Sequence, residues 1–247
     1  MIPIKDTIHS RSFPWVNWLL IITNLLVFVL IELPLGNAQL DRLISTYGVT
    51  PNQCAAPILK GLSTASIPGL GVLFNGCAIP LVTSMFLHGG WLHIIGNMWV
   101  LFIFGDNVED RLGSIPYFIF YMVCGVVSGL TQSFIAPSSQ VPAIGASGAI
   151  AGVLAAYMIF FPSARVVTFV PLFILPWFIN IPAVIFIVIW FLLQFFSGVA
   201  ALGVATSGGV AYWAHVGGFI CGLVLVWLFA NRSGNRPKSY PDEYYPW

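Results

Sequence analysis

Apolar residues run together in six blocks along the chain, at residues 15–33, 91–104, 117–135, 144–161, 181–196 and 211–229. Most blocks are about 18 to 22 residues long, the length a helix needs to cross a hydrocarbon core of about 30 Å. The pattern therefore predicts six membrane helices. The second block is short, but residues 80–87 before it are apolar, and re-entrant or interfacial backbone is allowed where protein buries it. The first block exceeds the apolar run of a signal peptide and reads as a retained helix. Residues 35–90 form a long loop with Pro and Gly between apolar pieces, notably at 67–74; short structured segments at the membrane interface are expected there.

Composition agrees. The 247 residues are 58% hydrophobic and 7% charged, against roughly 25% charged in a soluble domain. The formal charge of +1 leaves no basic field for nucleic acid. With the N-terminus in the cytoplasm, Lys5, Arg11, Arg111, Arg165, Arg232, Arg236 and Lys238 fall inside, and only Arg42 and Lys60 fall outside. The positive-inside rule then favours an all-α integral membrane protein with both termini inside. The expected parts are a cytoplasmic N-terminus at 1–14, a membrane domain at 15–231 with its outer loop at about 35–90, and a cytoplasmic tail at 232–247. No arginine-rich, serine-rich transit segment precedes the first helix, which points to a plasma or inner membrane. Cys54 and Cys77 share the outer loop; they could pair if it faces an oxidising compartment. No spacing suggests a metal site, and no cofactor is expected.

Alternation of six spans has a geometric consequence: the second, fourth and sixth helices all begin on the outer side. His93 and Asn97 then sit in the first turns of the second helix, Ser147 at the start of the fourth, and His215 near the start of the sixth. Four polar side chains from three helices share one depth, where ionisable groups mark function by default. Gly148 and Gly152 on the fourth helix, and Ala214, Gly218 and Gly222 on the sixth, form small-residue faces that let the backbones approach. A serine within hydrogen-bonding reach of an imidazole is a nucleophile with its base. No Asp or Glu occurs between Asp110 and Asp242, so the arrangement is a Ser147–His215 dyad without a carboxylate. His93 and Asn97, four residues apart on one helix face, can address one oxygen together with the Ser147 N–H; Gly145, in the same turn as Ser147, belongs to this oxyanion and substrate-binding group.

Gly145-Ala146-Ser147-Gly148-x-x-x-Gly152, His93-x-x-x-Asn97 after His88, Gly105-Asp106-Asn107-Val108-Glu109-Asp110-Arg111-Leu112-Gly113 and Ala214-His215-x-x-Gly218-x-x-x-Gly222 together resemble the rhomboid family of intramembrane serine proteases. The resemblance runs from about residue 15 to 231. It implies the six-helix rhomboid fold, Ser147 as nucleophile, His215 as general base, and cleavage of single-pass membrane proteins near the outer face, with a monomer sufficient for catalysis. It also implies access between the second and fifth helices, with Trp99, Trp190 and Phe191 as candidates for that seam and the Gly-rich stretch 197–209 as a mobile cap. Two departures stand out. The aromatic often found four residues after the catalytic serine is Ala151 here, and no Trp-Arg pair occurs in the first outer loop.

Taken singly, the pieces have plainer readings. Gly-Ala-Ser-Gly is ordinary helix packing, and a lone membrane histidine is as often structural as catalytic. His88 is expected to order the outer loop by hydrogen bonding, with no carboxylate at its level. Glu109 and Arg111 read as an inner-face structural bridge, and Asn180 and Gln194 as polar contacts of the fifth helix with its neighbours. A rhomboid-like protein that binds membrane helices without cutting them is the alternative function. A transporter would show internal repeats, and none is seen.

Overall fold

The computed structural model describes residues 2–64, 68–172, 175–202 and 210–232. All six apolar blocks form helices. Helix α1 (Trp15–Val27) is prolonged by a π-helical turn, Phe28–Glu32. The long loop contains α2 (Asn37–Tyr47), α3 (Pro51–Thr64), α4 (Leu70–Leu73) and α5 (Ile79–Thr83), which are the short structured segments expected there. Then follow α6 (Trp91–Leu112), α7 (Ser114–Ile135), α8 (Ser147–Phe160), α9 (Ala183–Ala201) and α10 (Tyr212–Arg232).

Among the described residues, Trp15–Glu32, Ser114–Ile135 and Ala183–Ala201 are long and apolar enough to cross a membrane. Gly71–Phe86 and Trp91–Leu112 meet at an 80° bend and would count as a fourth crossing if taken together. Ser147–Phe160 and Tyr212–Leu228 are shorter apolar helices. The chain thus has a helical membrane fold with three to four crossings by length alone.

Helix α8 lies at the centre. Every residue from Gly148 to Ala156, and Tyr157 after them, is buried, as befits a helix apolar on all sides. Helices α6, α7 and α10 surround it. At the other end of α6, the helix runs past residue 104 through a polar stretch to Leu112, because those side chains find partners. Glu109 accepts the N–H groups of Val16 (3.1 Å) and Asn17 (2.7 Å) and the Ser114 hydroxyl. One carboxylate thereby satisfies two of the orphan amides at the start of α1 and ties α1, α6 and α7 together; the bridge expected toward the next segment is the Ser114 contact, and the tie to α1 was not expected. Arg111 lies over the Phe160 and Phe161 rings, 5.6 and 4.8 Å from their centroids. Gly113, with φ +85°, turns the chain from α6 into α7.

Among the described residues, the fold departs from all-α in one sheet. Strands β1 (Ile2–Asp6), β2 (Arg165–Leu172) and β3 (Leu175–Pro182) form an antiparallel sheet in the order β1-β2-β3. Val166, Val167 and Thr168 are β-branched and suit a strand, but the pairing joins segments about 160 residues apart, with Asp6 opposite Val166 and a bulge between Pro3 and Lys5. Asn180 consequently lies in β3, opposite Val167, and not in a helix. Of the stretch 197–209, the part through Ala201 completes α9, which corrects the reading of that part as a mobile cap; residues 203–209 lie outside the described residues, as does the tail from 233. Cys54 and Cys77 are joined in a disulfide between α3 and the turn preceding α5.

Strand β1 is anchored by Asp6, whose Oδ2 accepts Tyr157 Oη–H (2.6 Å) and Asn107 Nδ2–H (2.9 Å). Burial pushes the Asp6 carboxyl up to about 7; the Tyr157 hydrogen bond pulls the other way and Asp106 nearby adds to the rise. An undocked strand would titrate near 4. Docking should therefore be fully favoured below about pH 4 and lose strength as pH rises to about 7. Amide protection factors at residues 2–6 are expected to be higher at pH 5 than at pH 8. Asp6→Asn should remove most of that difference; an undiminished difference in the variant would show that another group is responsible.

Candidate active site

Ser147 is the first residue of α8 and His215 lies in the first turn of α10. Their side chains meet, with Ser147 Oγ 2.7 Å from His215 Nε2. The approach is possible because α8 and α10 touch backbone to backbone. A Cβ on Gly218 would strike the Gly148 carbonyl oxygen, and one on Gly222 would lie 2.5 Å from the Gly152 carbonyl oxygen. On the other flank of α8, a Cβ on Gly148 would strike Ser128 and one on Gly152 would lie 2.5 Å from Cys124 Sγ. The four glycines expected around the dyad thus hold α7, α8 and α10 together.

The second group converges on the same point. Gly145 has φ +118°, a conformation suited to glycine, and a Cβ there would lie 2.6 Å from His93 Nε2 and 3.5 Å from Asn97 Nδ2. His93 and Asn97 therefore lie over the backbone two residues before Ser147. His93 Nδ1 accepts the Gly89 N–H at 3.2 Å, so a neutral ring carries its proton on Nε2, the nitrogen beside Gly145. Asn97 Nδ2 is buried and has no hydrogen-bond acceptor among the described residues. As the first helical residue, Ser147 has an N–H without an intrahelical partner. These three donors lie beside the nucleophile.

A cavity of about 750 Å³ reaches this place, lined among others by His93, Asn97, Ser147, Trp190 and His215. Ser147 is half-buried and His215 buried, and both line the cavity. Asp106, Glu109 and Asp110 belong to the far end of α6 and engage Asn107, α1 and Ser12, leaving the dyad without a carboxylate.

Several neighbours were not legible beforehand. Gln194 of α9 holds His215 Nδ1 at 2.7 Å from its Oε1. Trp190, one turn earlier, places its ring 5.8 Å from the His215 ring at 34°. Gln132 of α7 accepts the Ala214 N–H at 3.2 Å. The seam candidates separate: Phe191 stacks on Phe219 at 4.5 Å, and Trp99 donates to the Pro3 carbonyl of β1 at 2.6 Å. His88 differs from expectation. Its backbone N–H is held by the Glu32 carboxylate at 3.0 and 3.2 Å, and its ring lies edge-on to His93 with both nitrogens buried and without hydrogen-bond partners among the described residues. A carboxylate does stand at that level, and Glu32, not the His88 ring, fixes the loop.

The Rhomboid domain family model matches residues 75–232. The chain belongs to the rhomboid family. Relatives include rhomboid-like protein 11, chloroplastic, of Arabidopsis thaliana, 30% identical over 155 residues, covering 61% of this chain and 52% of that protein. Rhomboid protein 1, mitochondrial, of Saccharomyces cerevisiae is 30% identical over 160 residues, covering 62% of this chain and 42% of that protein. The human presenilin-associated rhomboid-like protein, mitochondrial, is 34% identical over 97 residues, 38% of this chain and 26% of that one. This rhomboid chain spans about half the length, or less, of these curated relatives. Their names place them in organelles, which differs from the plasma or inner membrane expected from the sequence.

Proposed function

We propose that this rhomboid is an intramembrane serine endopeptidase that hydrolyses peptide bonds in or near the transmembrane segments of single-pass membrane proteins. The observation that carries the reading is the 2.7 Å contact between Ser147 Oγ and His215 Nε2, facing a cavity that also holds His93 and Asn97. Ser147 Oγ attacks the scissile carbonyl carbon while His215 Nε2 takes the hydroxyl proton. The carbonyl oxygen, now an oxyanion, receives hydrogen bonds from the Ser147 N–H, Asn97 Nδ2 and His93 Nε2. Collapse of this intermediate expels the amine, which takes the proton from His215 and leaves an acyl group on Ser147. A water, deprotonated by His215, then releases the acid. A bond within an intact substrate helix is shielded, so residues that unwind easily, such as Gly, favour cleavage.

The same reading keeps the six-span arrangement with both termini inside, supported by the distribution of Lys and Arg, within a protease domain at 15–231. Helix α8, at 14 residues, spans about 21 Å, short of the roughly 30 Å hydrocarbon core. Ser147 at its outer end is then below the surface, and substrate enters laterally between α6 and α9. The membrane is a plasma or inner membrane, with the site opening to the outer face. All named groups come from one chain, so a monomer suffices.

The test is labelling of the purified protein with a fluorophosphonate serine-hydrolase probe. Labelling is expected in the wild type and abolished in Ser147→Ala and His215→Ala. A folded wild type that does not label would favour the helix-binding alternative, and labelling that survives Ser147→Ala would place the reactive serine elsewhere.

A further inference from the structure

We propose that Gln194 is the third member of the catalytic array, a positioning residue that sets the tautomer and orientation of His215; the proposal rests on the protease reading above. A base that accepts the Ser147 proton on Nε2 must carry its resting proton on Nδ1. Something must therefore accept a hydrogen bond from Nδ1–H, the role that a buried carboxylate fills in the Ser-His-Asp arrangement. Here the chain offers no carboxylate between residues 110 and 242. In its place, Gln194 Oε1 lies 2.7 Å from His215 Nδ1, the same distance that separates Nε2 from Ser147 Oγ. The three side chains form one line: amide oxygen, imidazole, hydroxyl.

The geometry of α9 makes this more than a chance contact. Trp190 and Gln194 are four residues apart and so share a helix face. Both address the same imidazole, Gln194 at its edge and Trp190 with its ring 5.8 Å away at 34°. The general base is thus held by a neighbouring helix and not by its own. An amide oxygen also suits the site. It cannot take the proton from the imidazolium, and it adds no net charge that would have to be desolvated behind the dyad.

A hydrogen bond to a group that becomes charged in the transition state is worth roughly 10- to 100-fold in rate. Gln194→Met, nearly isosteric and without a comparable acceptor, is therefore expected to slow fluorophosphonate labelling of the folded full chain by about that factor. Gln194→Glu restores the acceptor. It should recover labelling at alkaline pH while moving the acidic limb of the rate–pH profile upward by about one pH unit, because its carboxylate favours the imidazolium. A merely structural contact would not move that limb.

Labelling of Gln194→Met at the wild-type rate, with the wild-type pH profile, would overturn the role of Gln194 while leaving the Ser147–His215 reading in place. Absence of labelling in the folded wild type would overturn both. Should Gln194→Met fail to fold, an unmoved limb in Gln194→Glu would overturn the proposal by itself.

Discussion

Ser147→Ala is expected to lower turnover of a cleavable single-pass membrane substrate by roughly four to six orders of magnitude, because nucleophile and base act as one unit. The same interdependence sets a sharper expectation. With Ser147 Oγ and His215 Nε2 in direct contact, the double variant Ser147→Ala/His215→Ala should be no slower than Ser147→Ala alone; additive losses would mean that the two residues act in separate steps. Asn97 behaves differently. Among the described residues its buried Nδ2 has no hydrogen-bond acceptor, so this donor is free to meet the developing oxyanion. Asn97→Ala should lower kcat about 10²- to 10³-fold and leave KM nearly unchanged. The measurement is steady-state cleavage in proteoliposomes. A Ser147→Ala protein that keeps a tenth of wild-type turnover would end the nucleophile assignment, and an Asn97 effect confined to KM would make that side chain a substrate contact.

The extent to which the site could be read in advance follows from the kinds of interaction involved. Helix parity and small-residue spacing are local signals, and they bring Ser147, His215, His93 and Asn97 to one place from the sequence alone. The start of each predicted helix falls within three residues of the observed one, because apolar blocks begin sharply at proline or glycine turns. The apolar block stops at residue 104, but α6 continues to Leu112 because Glu109 is buried and occupied by the amides of α1. What stayed hidden depends on partners far away in sequence. The sheet needs β1 to find β2 across about 160 residues, and no period in either segment announces it. Gln194 was legible as a polar contact but not as the partner of His215, since helix rotation about its own axis decides which neighbour it meets. Trp190 meets the His215 ring from another helix, a contact that a motif four residues long cannot display.

Gly218→Ala is expected to be among the most damaging single-methyl changes the fold can receive. The added Cβ would meet backbone atoms: the Gly148 carbonyl oxygen first, with its carbon at 2.8 Å and Cα at 3.4 Å. Side chains can rotate away from an intruder and a helix backbone cannot, so α8 and α10 must separate. Overpacking of a well-filled interior costs typically about 1–3 kcal/mol, and occasionally more; the rigid obstacle puts this site at or above the upper figure. Activity should fall further than stability does. Ser147 precedes Gly148 by one residue and His215 precedes Gly218 by three, so the contact that the methyl wedges apart is the one that closes the dyad. A displacement of about 1 Å is enough for a loss near 10²-fold. Gly96→Ala is the control for stability. It makes the same chemical change inside α6 where a Cβ would meet nothing within 4 Å, and alanine in a helix interior is favoured over glycine by about 0.5–1 kcal/mol. Unfolding in detergent should therefore place Gly96→Ala at or above the wild type and Gly218→Ala well below it. Equal stability of the two variants would mean that α8 and α10 do not meet at Gly148 and Gly218, and the geometry that joins Ser147 to His215 would lose its support.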